Sequence, residues 1–522
     1  MRKQIDSYIK RNQQIIVEDI LNFVKIKSIT GDFTANRKAL EFYCDKAKQM
    51  GFKAVMGRKG DFAVVEYGNG EEALGILVHT DVVGIGDTKK WTFPPFQGKL
   101  AKGYLWGRGV VDNKGPAIMC LYALNALKEL GIPLNKKIQI IIGTCEESEW
   151  TDIASFKEEF PLPDYGFSPD GDFPIFNREK GYCDVKLRFK EPRIDLLETL
   201  YSGDSPNTVP SKAVIKFKNQ DEITVHGISC HSSVPEIGVN AISKMVTEQS
   251  LRQEFYFIRF ILDFLANDYN AEKLNIDSSE VYKNPPKERT TAVPTMLHLK
   301  DGFVELNINC RLWFDVNRTM VEQAFSQYAE EYHYQFEISD FLSSMAVDEN
   351  EEFLQVMARV YEDYGFSNKF QMAVGCSYAK SMPHFVSWGP VFDTEPSCAH
   401  MEDERLSVES IIIATQMYAS YLAEMASDNS LKIELHEMSS LEKALFLFEL
   451  FLKEPYEYDV YTLAKYTGMN RTTVYRNLSS LEKFGFLTKN ENNKKYTLGP
   501  VAEKITKVME AQKNNHFPIK SH

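Results

Sequence analysis

Side chains that can bind a metal ion follow the apolar segments of this chain or lie in its glycine- and proline-rich loops. They are His79, Asp112, Glu146, Glu147, Asp170 and His400. Imidazole and carboxylate donors suit zinc, cobalt or manganese. Each residue also has an ordinary interpretation, since Asp112 could be the N-cap of the helical segment that follows it. Taken without further information, the pattern leaves a metal site and a set of surface carboxylates as even alternatives.

Alternating apolar strands and helices around these residues predict an α/β fold. The predicted strands cover 62–67, 73–78 and 138–142, and the predicted helices cover 1–27, 39–50 and 117–130. Ligand sites of such layered sheets lie at the carboxyl ends of the strands. Residues that directly follow the strands, such as His79 and Glu146, are therefore expected at one edge of a central sheet.

The character of the sequence changes after residue 182. Short alternating segments such as 182–189 and 304–314 predict antiparallel strands, and the helical segment 351–364 returns to the first pattern. This order predicts an α+β lid domain inserted into the central-sheet domain. The predicted divisions are a central-sheet domain of residues 1–182 and 346–426, the inserted lid domain 183–345, a polar linker 427–438, a small module 439–500, and a C-terminal helix and tail 501–522.

Charge and cysteine usage bound the class of protein. The chain of 522 residues is 43% hydrophobic and carries a net charge of −13, so as a whole it is no general nucleic-acid binder. Residues 439–522 are an exception, with 13 Lys and Arg against 9 Asp and Glu. The eight cysteines are scattered without a CxxC pair, and we find no signal peptide or 18-residue apolar segment. A cytoplasmic protein with an appended module is expected.

Nine sequence blocks, in the same order, resemble the di-zinc aminoacylase/carnosinase family of metallopeptidases, and most closely its PepV-like bacterial dipeptidases. The resemblance covers residues 1–426. The blocks are GILVHTDVVGIGD, WTFPPFQGKLAKGYLWGRGVVDNKGP, IIGTCEESEW, SPDGDFPIFNREKG, NTVP, GISCHSSVPEIGVNAI, INCRLW, VGCSYAKSMPHFVSWGP and CAHMEDERLSVES. The resemblance implies a central-sheet peptidase domain with an inserted lid.

The resemblance also implies two divalent metal ions, zinc in the first place, with manganese and cobalt as alternatives. His79 and Asp170 would bind one ion, Glu147 and His400 the other, and Asp112 would bridge them. A hydroxide shared by the two ions would attack a dipeptide or another short peptide.

Further roles follow from the same resemblance. Glu146 would be the general base, Asp81 would orient the imidazole of His79, and His231 would stabilise the oxyanion. The implied substrate contacts are Asn207, Arg311 and Lys380.

Four residues depart from the family pattern. They are Asn113, Cys145, Lys380 and His384. Lys380 stands where an arginine is usual, and lysine cannot form the bidentate contact that arginine makes with a carboxylate. None of these departures removes an implied metal ligand or the general base. Activity with an altered substrate preference is therefore expected.

The C-terminal module has the pattern of a winged helix-turn-helix, with three helices followed by a short β-hairpin. The segments SSLEKALFLFELF, YTLAKYTGMNRTTVYRNLSSLEKFGFL and KKYTLGP resemble the DNA-binding domain of IclR-type regulators. The resemblance implies DNA contacts and dimers formed through this module. The implied DNA-binding residues are Asn470, Arg471, Thr472, Thr473, Tyr475, Arg476 and Lys494.

The leading hypothesis is thus a peptidase fused to a DNA-binding module that regulates transcription. A first alternative is a transcription regulator whose peptidase body only senses a peptide. A second is a plain dipeptidase whose C-terminal module mediates oligomerisation.

Overall fold

The computed structural model describes most of the chain. The described residues are 1–248, 254–266, 269–277, 288–396, 398–427, 439–452, 457–467, 469–490, 493–502 and 504–505. The predicted linker and C-terminal tail therefore lie almost wholly outside the described residues. The helices are Arg2–Arg11, Gln13–Val24, Phe33–Gln49, Lys114–Glu129, Thr151–Glu159, Ala241–Glu248, Tyr256–Phe260, Arg318–Ala329, Glu352–Asp363, Val408–Ala426, Ser440–Leu450, Val460–Thr467 and Arg471–Lys483.

The first sheet is mixed and contains the strands that end at the predicted site. Its strands, in spatial order, are Lys53–Met56, Phe62–Tyr67, Lys137–Gly143, Ala73–His79, Tyr165–Ser168, Phe385–Trp388, Ile175–Glu179 and Met345–Ala346, with Gln371–Ala373 also paired to Ile175–Glu179. Ala73–His79 runs parallel to both of its neighbours. Every residue of this strand is buried, as expected for a parallel strand covered on both faces.

Two helices cover the first sheet and pack against each other. Lys114–Glu129 is buried over nearly its whole surface, and Val408–Ala426 packs beside it. Such all-round burial explains why the residues of Lys114–Glu129 are almost entirely apolar. The helix begins directly after Asp112 and Asn113, so a firmly held helix fixes the loop that carries them.

The second sheet is antiparallel and has its own hydrophobic core. Its strands, in spatial order, are Ile223–His226, Lys212–Phe217, Leu197–Ser202, Thr291–Lys300, Phe303–Leu312, Gly181–Phe189 and Tyr334–Leu342. Short ribbons accompany the two sheets: Thr208–Val209 with Cys230–His231, Gly171–Asp172 with Pro390–Val391, and Lys99–Ala101 with Tyr104–Trp106 and Arg405–Ser407. The cores of the two sheets consist of separate sets of residues.

The C-terminal module has a third core. Three helices pack around Leu447, Val474 and Leu478, and the hairpin of Leu487–Lys489 and Tyr496–Leu498 completes the fold. This is the predicted winged helix-turn-helix arrangement.

The N-terminal helices differ from the prediction. The predicted helix 1–27 is interrupted at Asn12, which separates Arg2–Arg11 from Gln13–Val24. The Asn12 side-chain amide donates to the carbonyl of Tyr8 at 2.8 Å, a local bond that competes with a regular helix. The predicted helix 39–50 begins earlier, at Phe33, because Asp32 caps it by accepting from the amide of Ala35.

No helix in the described part of the chain combines the length and the apolar character needed to cross a bilayer.

Candidate active site

Two groups of metal-binding side chains lie next to each other at the carboxyl ends of the first-sheet strands. One contains His79, Glu146 and Asp170, and the other contains Asp112, Glu147 and His400; within each group the candidate ligand atoms lie within 4.8 Å of one another. His79 is the last residue of the strand Ala73–His79, and the other five residues lie in loops that follow strands or precede helices. The structure thus brings together every residue that the sequence offered as a metal ligand.

Asp112 lies between the two groups. Its Oδ1 is 2.9 Å from Nε2 of His79, and its Oδ2 is 2.8 Å from Nε2 of His400. Nε2 of His79 is also 3.6 Å from a carboxylate oxygen of Asp170, and Nε2 of His400 is 3.0 Å from one of Glu147. One carboxylate therefore faces two imidazoles from opposite sides.

The electrostatics of this cluster call for cations. Burial and the neighbouring Asp112 carboxylate raise the pKa of Glu147 to about 7. Burial and Asp170 raise the pKa of Glu146 well above its usual range. Burial alone would lower the pKa of His400, but Asp112 and Glu147 raise it to about 11. Nε2 of His79 and Oδ1 of Asp112 are buried and, although 2.9 Å apart, form no hydrogen bond of normal geometry within the described residues, so this donor set fits bound divalent metal ions.

Asp81 contacts residues at the ends of two strands, His79 on one and the Glu146–Glu147 pair after the other. Its backbone carbonyl lies 2.9 Å from Nδ1 of His79, which fixes the ring with Nε2 toward Asp112. Its carboxylate accepts the amide N–H groups of Glu146 at 3.1 Å and Glu147 at 3.2 Å. The predicted contact with His79 is therefore present, and Asp81 has a second role in positioning the adjacent glutamates.

Asn113 also orients a member of the cluster. Its side-chain nitrogen donates to the carbonyl of Pro169 at 2.7 Å and to Oδ1 of Asp170 at 3.1 Å. The peptide bond between Asp112 and Asn113 is cis. An asparagine at this position is suited to its surroundings, because a neutral amide donates to Asp170 without adding another negative charge.

Glu404 was not recognised in the sequence, and it holds the loop that carries Asp112. Its buried carboxylate pairs with Arg108 at 2.6 Å and accepts the amides of Gly109, Val111 and Asp112 at 2.8–3.2 Å. The sequence places Arg108 and Glu404 in two separate family-like blocks but gives no sign that they meet. A buried charge is stable only when it is paired in this way.

Asp152 and Trp150 are a second set that the sequence did not reveal. The Asp152 carboxylate accepts the amides of Thr144 at 2.6 Å and Cys145 at 3.0 Å, and the hydroxyl of Tyr378 donates to it. The indole nitrogen of Trp150 donates to the carbonyl of Glu146 at 2.8 Å. These contacts fix the backbone between the end of the strand Lys137–Gly143 and the Glu146–Glu147 pair.

His231 and Asn207 lie on the ribbon next to the second sheet. Nδ1 of His231 accepts the backbone N–H of Ser233 at 3.2 Å, which leaves the ring proton on Nε2. Partial burial and the charges of Arg311 and His400 lower the pKa of His231 to about 4, so the ring is neutral at pH 7. The backbone carbonyl of Asn207 accepts from Ser232, which ties the two segments together.

Arg311 and Lys380 meet at Cys376. The guanidinium of Arg311 stacks on the Tyr182 ring at 4.8 Å, and Nη1 is 3.9 Å from Sγ of Cys376. Nζ of Lys380 is 3.3 Å from the same sulfur and also donates to the carbonyl of Lys180. The structure thus brings these two predicted substrate contacts together, with Lys380 tied back to the protein.

The predicted DNA-binding residues lie at the start of Arg471–Lys483 and in the hairpin. Arg471, Thr472, Tyr475 and Arg476 are exposed on one face of this helix, while Val474 lies in the core on the other.

The remaining predicted DNA contacts are partly engaged within the module. Asn470 is the N-cap of the helix and accepts from the amide of Thr473, so its oxygen is engaged inside the module. Lys494 lies in the hairpin turn with a positive φ of 59°.

Similar proteins agree with the fold. The model of peptidase family M20/M25/M40 matches residues 75–424, and the IclR helix-turn-helix domain matches residues 440–491. "Putative dipeptidase YtjP" of Bacillus subtilis is 28% identical over 80% of this chain and 98% of its own length. The crystal structure of human carnosine dipeptidase 1 covers 81% of this chain and 98% of its own, with a TM-score of 0.56 and 15% identity. Aminoacylhistidine dipeptidase from Vibrio alginolyticus covers 78% and 96%, with a TM-score of 0.54 and 14% identity.

The fold, the donor cluster and these similarities define the chain as a metallopeptidase. It belongs to peptidase family M20/M25/M40 and carries a C-terminal IclR helix-turn-helix domain. Both resemblances noted in the sequence are thereby confirmed.

Replacement of Glu404 by glutamine is expected to weaken metal binding. The change leaves Arg108 buried without its partner charge and loosens the Asp112 loop, and loss of a residue that orients metal ligands typically costs about 10–100-fold in affinity. Competition with a chelator for Zn²⁺ measures the effect. Glu402→Gln, two positions earlier and accessible to solvent, is the matched control. Equal zinc affinity in wild type and Glu404→Gln would contradict this role.

Proposed function

We propose that the chain hydrolyses dipeptides or other short peptides with two divalent cations bound at the Asp112 cleft, zinc being the first candidate. The observation that carries this proposal is Asp112, whose two oxygens lie 2.9 and 2.8 Å from the imidazoles of two different groups. His79 and Asp170 would hold one cation, Glu147 and His400 the other, and Asp112 both. When bound, the cations would polarise the peptide carbonyl and lower the pKa of the attacking water.

Glu146 is the proposed general base. Its backbone is fixed by Asp81 and by Trp150, and its carboxylate lies in the first group beside His79 and Asp170. Burial and Asp170 raise the pKa of Glu146, which makes its carboxylate a stronger base. It would take a proton from water and pass it to the leaving amine. Glu147 cannot share this role because it faces His400 at 3.0 Å.

His231 is proposed to stabilise the oxyanion. Its Nδ1 is occupied by the Ser233 amide, so Nε2–H is the group left to donate to a substrate oxygen. The lowered pKa keeps the ring neutral, and it therefore offers one directed donor at pH 7. The charge of His400 contributes to the lowered pKa of His231, which supports a role for this ring near the metal cluster.

Arg311, Lys380 and Asn207 are the proposed substrate contacts. Arg311 is buried, and its Nε lacks a hydrogen-bond partner, as suits a guanidinium that meets a carboxylate when substrate binds. Lys380 adds positive charge but is already bonded to the carbonyl of Lys180, so it would contribute to the local potential more than to a direct contact.

The names of similar proteins support a dipeptide substrate. The YtjP relative and the human and Vibrio structures are all described as dipeptidases, and the chain spans nearly their whole length. A peptide sensor without catalysis remains the alternative. Catalysis is favoured over it because Glu146 and all five proposed ligands are present and close together.

Glu146→Gln is expected to reduce the rate of dipeptide hydrolysis by about 10²–10⁴-fold, because the amide cannot accept a proton from water. Zinc content should stay at the wild-type level, since Glu146 is not one of the proposed ligands. A panel of dipeptides assayed with zinc, manganese or cobalt, together with metal analysis, provides the measurement. The exposed Glu149→Gln serves as the control. If the wild type hydrolyses none of them with any of these metals, the sensor hypothesis replaces the enzyme.

We also propose that the C-terminal module binds DNA and regulates transcription. The first turns of Arg471–Lys483 would enter the major groove, where Arg471, Thr472, Tyr475 and Arg476 form an exposed face. Arg471 stacks over Tyr461 at 4.6 Å, which holds its guanidinium on that surface.

The eight cysteines are free thiols, including Cys183 and Cys310 on neighbouring strands, which supports a reducing cytoplasm as the compartment.

Arg471→Ala and Arg476→Ala are each expected to weaken binding to DNA from the protein's own operon. Loss of one phosphate contact should also reduce the slope of log affinity against log salt by about one. DNase footprinting and salt titrations measure both effects. Lys483→Ala, at the far end of the same helix, is the control. If the wild type protects no site and Arg471→Ala changes nothing, the oligomerisation hypothesis is favoured.

A homodimer through the C-terminal module is proposed from an exposed apolar stripe. Leu441 and Leu445 are one helical turn apart on Ser440–Leu450, and both are more than half exposed, as is Leu452 just beyond the helix. Exposed leucines at this spacing are typical of a helix that pairs with another surface.

Leu445→Glu should abolish the proposed dimer, because pairing would bury the new carboxylate without a partner. Sedimentation equilibrium of the full chain gives the answer. Lys443→Glu introduces the same carboxylate on another face of the helix and should leave the dimer intact. A monomeric wild type, or a dimer that persists in Leu445→Glu, would exclude this interface.

A further inference from the structure

A second cavity lies beside Trp150 and Lys380, at the segment that joins the two sheets. Its volume is about 620 Å³, and three segments line it: residues 150–157, 342–347 and 380–384. None of the metal-cluster residues is in its wall. A cavity of this size is in the range of small-molecule sites.

The charges of this cavity are one-sided. Its walls contain Lys157, Lys380 and His384 and no aspartate or glutamate, although the chain as a whole carries a charge of −13. Within the described residues, the side chains of Lys157 and His384 make neither a hydrogen bond nor an ion pair. Lys380 is held by the carbonyl of Lys180, so the Lys157 ammonium and the His384 imidazole are the groups left to meet an anion.

The remaining wall is largely apolar. Ile153, Val347 and Met382 are buried, and Leu342 and Met345 are half-buried beside them. An inorganic ion would leave this apolar surface uncovered. An anionic group attached to an apolar body would cover it and also reach the cations.

Two observations connect the cavity with the active site. Lys380 and His384, both departures from the family pattern in the sequence, line it. Trp150 forms part of its wall, and the indole of the same residue donates to the carbonyl of Glu146 at 2.8 Å.

The segment 342–347 joins the second sheet to the first. A ligand in the cavity would therefore contact the segment that joins the two sheets. It would also contact Trp150, which holds the backbone of the proposed general base Glu146.

We propose that this cavity binds a small organic anion with an apolar body, such as an arylalkyl carboxylate, at a site separate from the peptide-hydrolysing centre. The carboxylate would be bound by Lys157 and His384, and the apolar body by the half-buried side chains of Leu342 and Met345. This assignment goes beyond the proposed peptidase activity and does not depend on it.

Titration of the full-length protein with 4-phenylbutyrate tests the site, with calorimetry and tryptophan fluorescence as readouts because Trp150 lines the cavity. Lys157→Ala should weaken binding about fivefold or more through loss of one cation, and neutral 4-phenylbutan-1-ol should bind about tenfold more weakly than the acid. Ala154→Trp, at an exposed wall position, should block the cavity. Lys38→Ala, an equal charge change on another helix, should leave affinity unchanged.

The proposal is overturned if 4-phenylbutyrate does not bind, if acid and alcohol bind equally, or if Lys157→Ala and Ala154→Trp retain wild-type affinity. The last result would mean that the carboxylate binds elsewhere, for example at the metal centre. Because binding is read without substrate turnover, it can succeed in a protein that fails to hydrolyse dipeptides. Failure of this site and failure of the proposed enzyme activity are therefore separable.

Discussion

Close packing of like charges is the constraint on which this active site depends. Glu146, Glu147, Asp112 and Asp170 share one cleft with two imidazoles, at separations of about 3–4 Å between neighbouring groups. Left to themselves, these carboxylates would repel one another or take up protons. The surrounding protein counters this by fixing the backbone, with Asp81 and Glu404 each accepting two or more amide N–H groups next to a cluster residue. Rigid supports keep the negative charges in place for the cations that neutralise them.

The sequence predicted the strand ends and the residues of the cluster well, because apolar runs and local motifs carry that information. It did not predict the supports. Arg108 and Glu404 lie 296 positions apart, and Asp152 and Tyr378 lie 226 apart, so no periodicity relates them. The break at Asn12 was missed for a different reason: a single side-chain bond to Tyr8 overrides a helical pattern that continues on both sides.

The departures from the family pattern fall into two kinds once their contacts are known. Asn113 fits the site, since its neutral side-chain amide donates to Asp170. Cys145 is likewise held in place, with its backbone amide bonded to Asp152. Lys380 and His384 differ, because both line the second cavity and neither belongs to the metal-binding groups, although the ammonium of Lys380 bonds to the carbonyl of Lys180. Two of the four departures thus lie beside the metal site and two outside it, where substrate preference or a second ligand would be determined.

The path from the active site to the DNA-binding module constrains how the two could communicate. Glu404 is followed by the strand Arg405–Ser407 and the helix Val408–Ala426, after which the chain continues toward the module. That helix is buried over most of its length against Lys114–Glu129, so it can move only together with the first sheet. A change at the active site would therefore reach this helix only through a movement of the first-sheet body.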